Sequence, residues 1–125
     1  MLKKKILSIT KLNSNGSIIG GQLIPGFLTQ LKSMEQNTKN LKVPKKYDIP
    51  VKDFLITTEE AILKGVSNSL TSVINSLFNP EKDILLICGG DSQLLTKSLK
   101  TQKETIIAPN LVMEGMIIHH LSIKN

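Results

Sequence analysis

Arginine and tryptophan are both missing from these 125 residues, and alanine, cysteine and tyrosine are scarce. All sixteen basic side chains are therefore lysines. Aromatic residues make up only 3%, which removes the stacking platforms on which single-stranded nucleic-acid binders hold bases. Without arginine there is no bidentate fork to read a guanine edge. The formal charge of +6 is carried by scattered lysines, with runs only at Lys3-Lys4-Lys5 and Lys45-Lys46. Abundant Lys, Ile and Asn fit an A+T-rich coding sequence better than a selected basic face, so no nucleic-acid partner is expected. The single cysteine, Cys88, excludes a disulfide framework and a Cys-based zinc site. It ends the apolar run Asp83–Cys88, where a buried, inert thiol is expected. No segment reaches the roughly 20 apolar residues that span a bilayer. The opening stretch Met1–Thr10 is interrupted by Ser8 and Thr10 and stopped by Lys11, too short for an export signal. A cytoplasmic protein without a membrane partner is the expectation.

What is present fits one α/β domain over 1–125, with 40% hydrophobic residues and a Leu- and Ile-built core. Ile6–Leu12 alternates and is β-branched, Asn13-Ser-Asn-Gly16 is turn chemistry, and Ser17–Ile24 returns, so the spacing predicts a hairpin. Gly20-Gly21 inside the second strand points to a bulge or to close approach of other backbone. Pro25-Gly26 ends the strand, with Pro25 placed to open a helix carrying Phe27, Leu28, Leu31 and Met34. Residues 37–50 read as a surface loop. Thr57-Thr-Glu-Glu60 fits a capping box, followed by a helix with an apolar stripe of Ile62, Val66, Leu70, Val73, Ile74 and Leu77, stopped at Asn79-Pro80. Asp83–Cys88 reads as a buried strand, 91–100 as a short helix, Glu104–Ala108 as a strand, and Asn110 to about Leu121 as a last helix. The expected order is β-β-α-α-β-α-β-α, with mixed pairing.

Few residues carry obvious chemistry. Gly89-Gly90 lies where a buried strand feeds a helix, and there it either cradles an anion or makes a structural turn. Gly20, Gly21, Pro25 and Gly26 are four special backbone positions close together, shaped around a ligand or a neighbouring helix. Thr57 is the natural cap, which leaves the Thr58 hydroxyl free. His119 and His120, being adjacent, face different directions on a helix. The aspartates Asp48, Asp53, Asp83 and Asp91 form no DxD, DxG or HxD arrangement, and no nucleophile elbow occurs. No catalytic residue and no metal site are assigned.

Read in order, Gly20-Gly-Gln-Leu-Ile-Pro-Gly26, Thr38 with Leu41, Thr58-Glu-Glu-Ala-Ile-Leu-Lys-Gly65, Gly89-Gly90 and Pro109-Asn-Leu-Val-Met-Glu-Gly115-Met116 form a series. It resembles the C-terminal part of type III pantothenate kinase, whose pattern is GGxIxPG, TAxLP, TxxAIxxG, a GG turn and PxLVxxGL. The match covers roughly residues 16 to 118. The resemblance implies the C-terminal lobe of a ribonuclease-H-like fold of the actin and Hsp70 type, a mixed sheet with flanking helices. It implies ATP-dependent phosphorylation of pantothenate to 4'-phosphopantothenate in coenzyme A synthesis, with Mg2+ and a monovalent cation, K+ or NH4+. It also implies a homodimer, with Thr58 as a pantothenate contact and Gly89 and Gly90 on the nucleotide side of the cleft.

Departures from the family pattern set a second group of expectations. The family's DxGNT, GxDR and DxGT motifs should lie upstream of the hairpin, and the GxDR arginine has no counterpart here. Lys39 and Lys42 stand where TAxLP has alanine and proline. Phosphoryl transfer depends on positioning and on neutralising charge, so 1–125 is expected to be the C-terminal half of a two-lobed kinase, its N-terminal lobe absent, and inactive alone. The alternative is a non-catalytic interaction or dimerisation module derived from that kinase. Self-association, or association with a complete subunit, is expected through the helix from about Thr58 to Phe78, where Leu63 and Phe78 widen the apolar surface.

Overall fold

The hairpin forms with the register its alternation predicts. The computed structural model describes residues 6–89, 95, 99 and 105–107. Strand β1 (Ile6–Leu12) pairs antiparallel with β2 (Ile18–Pro25), placing Ile6 opposite Pro25 and Lys11 opposite Gly20. The turn is held by Asn13, whose Oδ1 accepts from the Asn15 and Ser17 N–H groups at 3.2 and 2.9 Å. Gly16 closes it at φ 87°, in the left-handed region that glycine enters without steric cost. The register slips beyond Lys11, because Leu12 faces Ile18 and leaves Ile19 unpaired. The bulge is thus at Ile19 and not at the glycine pair. Gly21 answers the other expectation: a Cβ there would sit 2.5 Å from the Ile9 carbonyl oxygen, whereas beside Gly20 nothing lies within 4 Å.

Helix α1 (Phe27–Gln36) begins two residues later than Pro25 at the first helical position would give. Pro25 is the last strand residue and Gly26 is the N-cap, with extended backbone. Asn37 ends α1, its side chain donating to the Ser33 carbonyl at 2.8 Å. An irregular segment then leads to helix α2 (Thr58–Leu77), and it is more than the expected surface loop: Pro44 is buried and Leu41, Val43, Tyr47 and Ile49 pack against the core. Tyr47 in this segment meets Phe27 edge to face, with ring centroids 5.8 Å apart.

The face that α2 buries differs from the expected stripe. Ile62, Val66, Leu70 and Ile74 are buried, but so are Leu63, Ser67 and Thr71, while Leu77 is 46% exposed and Val73 only half-buried. The face is rotated toward the Leu63–Ser67–Thr71 row. Thr71 satisfies its hydroxyl by donating to the Ser67 carbonyl at 3.0 Å, so a polar residue enters the core at small cost. Leu63 therefore belongs to the core and does not widen an external surface; Phe78 is the half-buried C-cap.

Strands β3 (Leu85–Ile87) and β4 (Thr105–Ile107) pair in parallel. Among the described residues they form a sheet separate from the hairpin, so the expected single mixed sheet is seen as two pairs. One core nevertheless unites them: Phe27, Leu31, Ile62, Leu63, Val66, Leu70, Ile74, Ile87, Leu95 and Leu99 cluster, with Leu7, Ile9, Ile24 and Leu85 packed against them. The run before Cys88 is not buried on both faces, since Ile84 and Leu86 are exposed and Cys88 is half-buried. Leu95 is helical and its carbonyl accepts from the Leu99 N–H at 3.1 Å. The rest of the helix expected at 91–100, and the helix expected from Asn110, lie outside the described residues.

Candidate functional site

The N-terminus of α2 is built as its sequence requires. Thr57 stays extended at φ −82°, ψ 145°, and its hydroxyl accepts from the Glu60 N–H at 3.3 Å. The Thr57 carbonyl takes the Ala61 N–H at 3.0 Å. Glu59 and Glu60 place negative charge in the first turn, against the positive end of the helix dipole. With capping assigned to Thr57, the exposed Thr58 hydroxyl makes no hydrogen bond among the described residues.

Helical spacing places Thr58, Ala61 and Gly65 on one side of α2, and all three are exposed. Ile62, the apolar member of the same pattern, is buried. Nothing lies within 4 Å of a Cβ built on Gly65, so no packing within the described chain demands glycine there. A glycine inside a helix costs about 0.5–1 kcal/mol relative to alanine, a cost that offers open backbone on this side.

Lys64 borders this shelf and is a residue that sequence reasoning passed over. Its ammonium donates to the Pro50 carbonyl at 3.0 Å and the Val51 carbonyl at 3.4 Å, and lies 4.0 Å from the exposed Asp53 carboxylate. It ties the segment before the cap to the helix. That segment carries Val51, Phe54 and Ile56, each more than 90% exposed. A lysine seven residues after an N-cap, following a proline-bounded loop, was the available signal.

The other expected positions fall elsewhere. Pro25 and Gly26 lie at the β2–α1 junction, where Gln30 Nε2 donates to the Pro25 carbonyl at 2.9 Å and Gln30 Oε1 accepts from the Ser69 hydroxyl at 2.8 Å. This bridge reaches α2 about 16 Å along its axis from Thr58, at 1.5 Å per residue, so it does not join the two positions. Gly20 and Gly21 lie within β2, and Gly21 is explained by its approach to Ile9. Gly89 follows β3 at φ 93°, the left-handed geometry that a sharp exit from a strand uses; Gly90 lies outside the described residues. Among the described residues no group of three or more His, Cys, Asp or Glu gathers to hold a metal ion, and no helix is long and apolar enough to cross a membrane.

Known proteins share this arrangement of sequence. A protein of Acinetobacter baumannii strain ACICU is 28% identical over 98 residues, which span 78% of this chain. The relatives are type III pantothenate kinases. One from Acinetobacter baylyi is 29% identical over 100 residues, and one from Synechococcus elongatus is 25% identical over 115. The chain spans only 39%, 40% and 46% of these three kinases. A crystal structure from Campylobacter jejuni, described as a conserved Baf family transcriptional activator, shares the fold with a TM-score of 0.70 at 22% identity. It is matched over 90% of this chain and 51% of its own length. No family model matches the chain.

Proposed function

We propose that these 125 residues are the C-terminal lobe of a type III pantothenate kinase, with a ribonuclease-H-like topology. In the complete enzyme this lobe helps transfer a phosphoryl group from ATP to the pantothenate hydroxyl, giving 4'-phosphopantothenate for coenzyme A synthesis in the cytoplasm. The observation that carries the reading is the division of labour on α2. Thr57 takes the cap, Ile62 takes the core, and Thr58, Ala61 and Gly65 are left on an open side. In the TxxAIxxG pattern that the chain resembles, Thr58 stands at the threonine taken as the pantothenate contact.

The role of Thr58 is positioning. Its hydroxyl both donates and accepts, which suits the hydroxyl and amide groups of pantothenate, and a rigid helix end holds it within a narrow range of geometry. Gly89 stands on the nucleotide side, where left-handed backbone keeps a strand end clear for phosphate. The described carboxylates do not fit a magnesium site. Asp83 Oδ2 accepts from the Asn79 N–H at 2.9 Å and Asp53 faces Lys64. The groups that hold Mg2+, the monovalent cation (K+ or NH4+) and the ATP phosphates belong to the part of the kinase that these residues do not span, and homodimerisation belongs to the complete enzyme.

A genetic test is direct. In a bacterium whose only pantothenate kinase is a type III enzyme cut down to its N-terminal part, expression of residues 1–125 should restore growth. Stable expression of both parts without growth would refute the proposal.

A further inference from the structure

We infer that residues 51–56, pinned by Lys64, form an apolar wall beside Thr58, and that Ile56 in this wall selects for the two methyl groups of pantothenate. The inference rests on the kinase reading for the substrate, and on the geometry of this chain for the wall.

Val51, Phe54 and Ile56 are the three most exposed large hydrophobic side chains among the described residues. Apolar side chains gathered this closely in water mark a surface that a ligand or partner covers. Thr57 is extended at φ −82°, ψ 145°, and residues on either side of an extended one point the same way. Ile56 and Thr58 are that pair, and both are exposed. An apolar side chain and an uncommitted hydroxyl therefore stand next to each other at the start of α2.

The wall lacks the usual supports. Among the described residues, no backbone–backbone hydrogen bond holds positions 51–56, and none of them joins the core cluster. Its hold comes from α2 instead. The Lys64 ammonium has three N–H donors, and two of them reach the Pro50 and Val51 carbonyls at 3.0 and 3.4 Å. The Asp53 carboxylate lies 4.0 Å away. The Lys64 side chain is 15% exposed, so its charge gives up much of its water for these partners. Such burial is unfavourable unless the lost water is replaced, and a methionine would fill the same place without it. The ammonium is kept for its grip on the segment.

Pantothenate matches this pair of neighbours. The carbon that carries its phosphate-accepting hydroxyl is bonded to a carbon bearing two methyl groups. With polar groups of the substrate at Thr58, those methyls need an apolar side chain close by, and Ile56 supplies it. Lys64 touches no substrate. It is a positioning residue that keeps Ile56 in place.

The test uses 1–125 joined behind the N-terminal part of the Acinetobacter baumannii kinase, with two substrates: pantothenate and its analogue carrying hydrogens in place of both methyls. The readout is the preference for pantothenate, as the ratio of the two kcat/KM values. Ile56→Ser should lower that preference at least about fivefold, as methyl groups that lose apolar cover do. Lys64→Met should lower it comparably, and Lys64→Arg, which keeps donors for the carbonyls, should restore most of it. A merely structural role would reduce kcat/KM for both substrates alike and leave the preference unchanged, which would overturn the inference. An Ile56→Ser protein that keeps the preference but loses mass in light scattering would overturn it too, by assigning the wall to a second copy of the chain. Binding is read in parallel by saturation-transfer NMR on the pantothenate methyl protons. Turnover with an undiminished preference in Ile56→Ser upholds the kinase reading and refutes the wall. Methyl contact that Ile56→Ser abolishes, without turnover in the parent, does the reverse, and neither binding nor turnover refutes both.

Discussion

Ser69 on α2 donates to Gln30 on α1, and Gln30 in turn donates to the Pro25 carbonyl that closes β2. One amide side chain therefore ties the end of the hairpin, the start of α1 and the middle of α2. Replacing Gln30 by Leu removes both bonds while keeping the bulk, and should lower stability by about 1 kcal/mol. Urea unfolding of Gln30→Leu beside Ser69→Ala would show non-additive losses, because the two residues share one bond.

The two threonines before α2 should separate cleanly. Thr57→Ala loses the cap to Glu60 and is expected to cost about 1 kcal/mol. Thr58→Ala should leave stability within about 0.5 kcal/mol, as exposed substitutions do. In a kinase completed by joining an N-terminal part, Thr58→Ala should raise the KM for pantothenate while Thr57→Ala leaves it nearly unchanged. The opposite ranking in a steady-state assay would show that the wrong threonine has been assigned to substrate.

Gly65 should trade stability against function. With open space around it and a helical backbone, Gly65→Ala is expected to stabilise the chain by about 0.5–1 kcal/mol in thermal unfolding. Gly65→Gln should fold as well and yet reduce pantothenate use in the joined enzyme by covering the side that Thr58 shares. Unchanged kinetics for Gly65→Gln would remove the shelf from the site.

Leu63 and Leu77 test the rotated face of α2. Leu63 is 4% exposed and Leu77 is 46% exposed, so Leu63→Ala should cost about 2–5 kcal/mol and Leu77→Ala well under half as much. Equal losses in chemical denaturation would restore the unrotated stripe.

Most of the local structure was legible because each element carries its own chemistry. Asn13-Ser-Asn-Gly16 can hardly do other than turn, and Thr57 with Glu60 announces where α2 begins. Which way α2 faces was not legible, because hydrophobicity hides Ser67 and Thr71, both buried, the Thr71 hydroxyl being satisfied within the helix by the Ser67 carbonyl. The bulge at Ile19 was missed for a related reason: it is fixed by pairing with β1 and leaves no mark on the residue itself. At Thr58 the capping logic of Thr57 left a hydroxyl free, and its assignment to pantothenate came from the resemblance of Thr58–Gly65 to the kinase pattern. Lys64 was passed over because its carbonyl partners at Pro50 and Val51 are set by how the loop folds back.

Product formation is the most direct measure of the central claim. Residues 1–125, alone and joined behind the N-terminal part of a type III pantothenate kinase, would be incubated with ATP, Mg2+, K+ and pantothenate, and 4'-phosphopantothenate followed by mass spectrometry. The predicted result is product from the joined protein, dependent on Thr58, and none above blank from the 125 residues alone. A folded joined protein that makes no product, or turnover by the 125 residues alone, would contradict it.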